Sequence, residues 1–128
     1  ENSYEWVVTD NEAGLEHLSR RTTAHVDHLI VVVNNSPLAV DCARRIHEVI
    51  TSLKNEVLHK HVLLNGVNPA RMEVLKQGLA PLGFNFLGCL PHDDAVEEQV
   101  FGGKSLYDVN DTPATRAMDE IMKKLLEA

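Results

Sequence analysis

Apolar and polar positions along the chain follow two periods. Continuous apolar runs recur at Tyr4–Thr9, His28–Val33, His61–Leu64 and Phe84–Leu90. The second, His28-Leu29-Ile30-Val31-Val32-Val33, is uninterrupted and β-branched, the pattern of a strand covered on both faces in a parallel sheet. The segments between them carry helical spacing. Asn11 or Glu12 to Thr23 starts on an acidic first turn. Ser36-Pro37 supplies an N-cap followed by proline at the first helical position, for a helix to about Leu53. Its apolar set is Leu38, Val40, Ala43, Ile46, Val49, Ile50 and Leu53. Asn68-Pro69 repeats the device for a helix through Leu79, residues Val96 to Phe101 read as a short helix, and Thr112-Pro113 opens a last helix to about Leu126. That helix is expected to bury Ala117, Met118, Ile121, Met122 and Leu125.

The order is β-α-β-α-β-α-β-α, and strands alternating with helices form parallel sheets through right-handed crossovers. The predicted fold class is α/β: a partial doubly wound, mostly parallel sheet, with residues 1–128 as a single domain. In such sheets ligands bind outside the carboxyl ends of the strands. The groups expected at that edge are Asp10, Asn34-Asn35-Ser36, Asn65-Gly66 and Pro91-His92-Asp93-Asp94, although turns and helix caps favour the same residue types.

Composition narrows the function classes. Of 128 residues, 44% are hydrophobic and 24% charged, an ordinary globular balance that argues against disorder. The formal net charge of −7 weighs against nucleic-acid binding, whose affinity comes mostly from Lys and Arg on phosphates. The basic pairs Arg20-Arg21, Arg44-Arg45 and Lys123-Lys124 read as solvated helix faces. No apolar stretch approaches the roughly 18 residues needed to cross a bilayer, so the expected setting is cytoplasmic and away from membranes. The two cysteines, Cys42 and Cys89, match no disulfide framework or CxxC site and are expected as reduced core residues.

The stretch from Tyr4 to Gly14 carries the most chemistry. An apolar strand that ends on Asp10 and turns through small residues to Gly14 places a carboxylate where it can accept from a metal-bound water. It also leaves a backbone N–H free to approach a phosphate. The run Asp10-Asn11-Glu12-Ala13-Gly14-Leu15-Glu16-His17-Leu18-Ser19-Arg20 resembles the switch II segment of MinD/ParA-type P-loop ATPases. Its Glu-Ala-Gly-Leu-Glu-His-Leu portion is most similar to the CooC type, nickel-insertion accessory ATPases of carbon monoxide dehydrogenase. The likeness continues through His28–Val33, Ser36–Ile46, Val62-Leu63-Leu64-Asn65 and Gly88-Cys89-Leu90-Pro91-His92-Asp93 to Gly103-Lys104-Ser105-Leu106, and so covers essentially the whole chain.

The resemblance implies an ATPase in which ATP and Mg²⁺ close a homodimer. Asp10 would lie near Mg²⁺ through water, Gly14 would sense the γ-phosphate, Asn65 would contact the purine, and Pro91, His92 and Asp93 would form the loop over the base. It also implies nickel as cargo and carbon monoxide dehydrogenase or a similar metalloenzyme as client. The family begins with a deviant Walker A loop and a switch I aspartate, and this chain contains neither; nor does it hold the family's Cys-x-Cys carrier. The expectation is therefore the C-terminal half of a nucleotide-binding domain, with the phosphate loop before residue 1 and no hydrolysis by this chain alone. Alternatives are a degenerate stand-alone interaction or regulatory module, and a partitioning ATPase fragment, which the acidic balance disfavours.

Gly103-Lys104-Ser105 does not supply the phosphate loop. The glycine required five positions earlier is Glu98, and the preceding segment reads as a helix. The pairs His25/His28 and His59/His61 lack the spacing or cysteine company of a strong metal site and are expected at the surface. His17, one turn beyond Gly14, is the exception, a candidate for a nickel or dimer contact. Unpartnered strand edges associate, so the isolated chain is expected to form a dimer or higher oligomer.

Overall fold

The structure, a computed structural model, describes residues 3–11, 25–52 and 56–127. Its centre is a three-stranded parallel sheet of β1 (His25–Asn34), β2 (Glu56–Asn65) and β3 (Asn85–Leu90), in the order β1-β2-β3. The crossovers are α1 (Ala39–Ser52) between β1 and β2, and α2 (Pro69–Leu79), followed by a short 3-10 turn, between β2 and β3. After β3 come α3 (Asp94–Phe101), a second 3-10 turn at Leu106–Asp108, and α4 (Pro113–Glu127). This is the α/β class expected, with strands and helices alternating. Among the described residues no helix is long and apolar enough to cross a membrane.

The helix starts follow the local chemistry. Ser36 Oγ accepts from the Leu38 N–H at 3.2 Å, and Asn68 accepts from the Ala70 N–H at 3.0 Å with Pro69 in the first turn. Each cap satisfies an amide that the helix itself leaves unpaired.

Two apolar layers flank the sheet. On one face Val31, Val33, Val62 and Leu64 pack against Ala39, Ala43, Leu75 and Leu79 of α1 and α2. On the other, Leu63 and Leu87 meet Ile121 and Leu125 of α4. A bulge tunes the second contact. Val62 pairs with Phe86 but Leu63 with Gly88, which leaves Leu87 as an extra residue in β3. Leu87 and Gly88 consequently address the same face, as a bulge requires. A Cβ on Gly88, at φ +155°, would stand 2.9 Å from Ile121 Cγ1, so glycine here permits both the backbone angle and the close seat of α4.

Several expectations are corrected. Tyr4–Thr9 is not a strand: residues 3–11 are irregular and exposed, with Val8 90% accessible, because no ladder among the described residues accepts their backbone groups. The helix expected from Asn11 or Glu12 to Thr23, with Gly14, His17 and Arg20-Arg21, lies outside the described residues apart from Asn11. Met118 and Met122 are exposed, since α4 turns only the Ile121–Leu125 stripe toward a narrow sheet, and Leu38 is exposed ahead of α1. Cys42 is also exposed, one position before the buried Ala43; both cysteines are free, as expected.

The histidine expectation fails most clearly. His61 is 0% accessible, because its place in the strand points it at the face that receives Leu63. Burial, with His28 and His59 adjacent, holds its pKa below the ordinary imidazole range.

Leu64 is fully buried at the centre of the larger layer, whereas Leu58 on the same strand is exposed. Leu64→Ala is expected to lower unfolding free energy by about 2–5 kcal/mol in urea titrations. Leu58→Ala should stay within about 0.5 kcal/mol of the parent.

Candidate functional site

Parallel pairing sets the strand ends level. Asn34 is the register partner of Asn65, and Asn65 of Leu90. The chain then leaves each strand at the same edge. Gly66 turns through φ +63°, and its N–H donates to the Leu90 carbonyl at 2.8 Å, so the β2 exit is clipped to the β3 exit.

A cleft of about 670 Å³ opens there, with Asn35, Gly66, Asn68, Met72, Pro91 and His92 among its walls. Val67, Pro69, Cys89 and Ala117 complete it. The lining is mainly apolar, with two amides and an imidazole at the margin. This is the makeup of small-molecule sites, where apolar walls give affinity and a few polar groups fix orientation. Its volume falls within the usual range for such sites.

Of the sequence-predicted residues, Pro91 and His92 line the cleft directly. Asn65 stands exposed in the row of strand ends, next to the lining residue Gly66. Asp93 lies beneath the loop: its Oδ1 accepts from Ala95 N–H and caps α3, while Oδ2 accepts from Ala114 N–H at the start of α4, both at 3.0 Å. One carboxylate thus ties the base of the loop to two helices. The Thr112 hydroxyl, with the Ala114 and Ala95 amides, holds the Asp93 carboxyl below the usual carboxylate range. Asp10 is exposed and does not line the cleft, and Gly14 lies outside the described residues.

Met72 and Cys89 were not anticipated here. Met72 enters because the Asn68-Pro69 cap aims the first turn of α2 across the strand ends, and Cys89 because the bulge reassigns the faces of β3. The cap was legible in the sequence; the bulge had only Gly88 as its signal. At the cleft mouth His92 Nε2 lies 2.9 Å from Asp94 Oδ1 and 3.4 Å from Glu97 Oε2. These three exposed groups are the one His/carboxylate trio among the described residues whose ligand atoms come within mutual reach of a cation.

No family model matches the chain. Individual proteins do. Over 124 residues, 96% of the chain, it is 35% identical to an uncharacterised ATP-binding protein of Methanocaldococcus jannaschii, covering 49% of that protein. A second ATP-binding protein of the same organism is 28% identical over 124 residues, 96% of this chain and 47% of the relative. The carbon monoxide dehydrogenase accessory protein CooC of Rhodospirillum rubrum is 29% identical over 124 residues, again 96% of this chain and 45% of the relative. The chain therefore spans about half the length of each of these relatives.

The Asp93 geometry has a pH consequence. A carboxyl held low in the fold stabilises it above its unfolded pKa, and that contribution is lost as pH falls through the folded value. Asp93→Ala is therefore expected to lower the Tm at pH 7, with the gap to the parent closing as pH falls below about 4. Thermal melts across that range check it, and a gap unchanged at acid pH would show the carboxylate charge to be irrelevant.

Proposed function

Since the chain belongs to the MinD/ParA-like group of ATP-binding proteins that includes CooC, we propose that it forms the switch II and base-recognition half of a CooC-like ATPase. The observation that carries this reading is the level row of strand ends, which sets Asn65 and the Pro91-His92 turn beside one cleft. A purine is a flat apolar ring with a polar edge. Met72, Val67 and Pro91 offer walls for the ring, and one carboxamide at Asn65 can both donate to and accept from the edge. Asp93 holds the loop in place from below.

In this reading Asp10 would accept from a water on Mg²⁺, and the Gly14 N–H would meet the γ-phosphate. Mg²⁺ on a nucleotide keeps several waters and takes only one or two protein carboxylates, so a lone Asp10 suits it. The ion would supply charge neutralisation on the phosphates. Nickel is cargo, and carbon monoxide dehydrogenase or a similar metalloenzyme in the cytoplasm is the client. The two free cysteines sit on different elements, and no cargo ligand is assigned to them.

The test uses the product of the complete gene. Asn65→Ala should weaken ATP binding about tenfold in displacement of a fluorescent nucleotide, the loss expected for a polar contact left unmade. Asp10→Asn should reduce phosphate release by about 100-fold or more. Unchanged ATP affinity in the Asn65 variant would reject the base-recognition role, and unchanged turnover in the Asp10 variant the switch role.

The same reading includes self-association. Among the described residues β1 pairs only with β2, and its exposed Ile30 and Val32 lie beside the edge left unpaired there. Light scattering of the isolated chain is expected to give a dimer or larger species. A monomer at every concentration would count against it.

A further inference from the structure

The C-terminal end of α3 and the turn after it expose four large apolar side chains, Val100, Phe101, Leu106 and Tyr107. Phe101 is 85% accessible and Tyr107 94%, and neither lines the strand-end cleft. A single exposed apolar residue is ordinary on a protein surface, whereas a cluster of them marks an interaction surface. The backbone that presents them is fixed. Gly103, at φ +63°, closes α3 as a Schellman turn: its N–H donates to the Val100 carbonyl at 3.1 Å and the Lys104 N–H to the Gln99 carbonyl at 2.9 Å. The Gln99 side-chain amide donates to the Ser105 carbonyl at 2.9 Å, and Ser105 Oγ accepts from the Tyr107 N–H at 3.2 Å. Aromatic groups held on a preorganised backbone lose less entropy when a partner covers them.

Beside this turn lies a second groove, of about 640 Å³. Tyr107, Val109 and Met118 give it apolar walls, and Asp111, Arg116 and Asp119 add charge to the lining. Arg116 is already engaged, its Nη1 donating to the Asp111 carboxylate at 2.9 Å and to the Asp111 carbonyl at 3.1 Å. Across residues 98–119 the charged groups are Glu98, Asp108, Asp111 and Asp119 against Lys104 and Arg116, so the rim of the apolar patch is acidic.

We propose that the 101–107 turn and the adjoining groove dock a basic segment of a different protein, one in which aliphatic or aromatic side chains are flanked by Lys or Arg. Such cations carry an apolar stem and a charged head. The stem can lie along Tyr107, Val109 and Met118 while the head reaches the carboxylates at the rim. A second copy of this chain fits poorly, because a two-fold contact would set the acidic rim against itself. An anionic bilayer is repelled by the same charges. The length of α3, about 12 Å at 1.5 Å per residue, separates the turn from His92 at the cleft, and the surface does not depend on the ATP reading.

The test pans a random linear peptide library displayed on phage against the product of the complete gene. Peptides with apolar residues flanked by Lys or Arg should be enriched, and synthetic copies should bind more weakly as NaCl is raised. Phe101→Ser and Tyr107→Ser should each weaken those peptides about tenfold or more, and Asp119→Asn should weaken them severalfold, with unchanged far-UV circular dichroism. Leu58→Ala, at an exposed apolar position on β2, should leave their affinity unchanged. Failure to enrich basic peptides overturns the proposal, as does enrichment that survives both aromatic substitutions. Dissociation of a dimer by Phe101→Ser in light scattering would assign the turn to a second copy instead. Cosedimentation with phosphatidylglycerol vesicles that is lost in the same variant would assign it to a membrane, and either result rejects the basic protein segment.

Discussion

Everything at the strand-end edge depends on the parallel hydrogen-bond ladder between β1, β2 and β3. Parallel strands connected by helical crossovers must all end on the same side, and the register here levels Asn34, Asn65 and Leu90. A slip of one residue in either ladder would exchange the buried and exposed faces of a strand. The apolar sets Val31/Val33 and Val62/Leu64 exclude that slip, because α1 and α2 cover only their face. The cleft is thus held in place by core packing as much as by its own residues.

The edge is then finished by three small devices. Gly66 clips the β2 exit to Leu90, Asn68 starts α2 across the strand ends, and Asp93 joins the loop base to α3 and α4. The bulge at Leu87 and the bare Cα of Gly88 let α4 approach closely enough for Ala117 to reach the cleft. A mainly apolar wall with amides at its margin results, which is why a flat heteroaromatic ring is the occupant proposed for it.

The two sheet faces are unequal. α1 and α2 cover one of them, while α4 covers the other chiefly over β3. His28 and His59 stand partly exposed on that second face, with His61 sealed beside them. A sealed imidazole with an orphaned nitrogen, as at His61, is costly for an apolar layer, and the three histidines together make this face chemically distinct from the core on the opposite side.

The amino-acid sequence by itself determined the fold class, the alternation of strands and helices, the caps at Ser36 and Asn68, and the polar groups that leave each strand. These are local facts, written in hydrophobic period and in side chains that bond to neighbouring amides. Tyr4–Thr9 shows the limit of that reading: an apolar run has strand character, but a strand exists only where another backbone pairs with it. The burial of His61, the exposure of Met118 and Met122, and the entry of Met72 and Cys89 into the cleft were decided by tertiary structure alone. Each depends on which face of an element meets a neighbour, and a single bulge or a narrow sheet changes that without altering the local pattern.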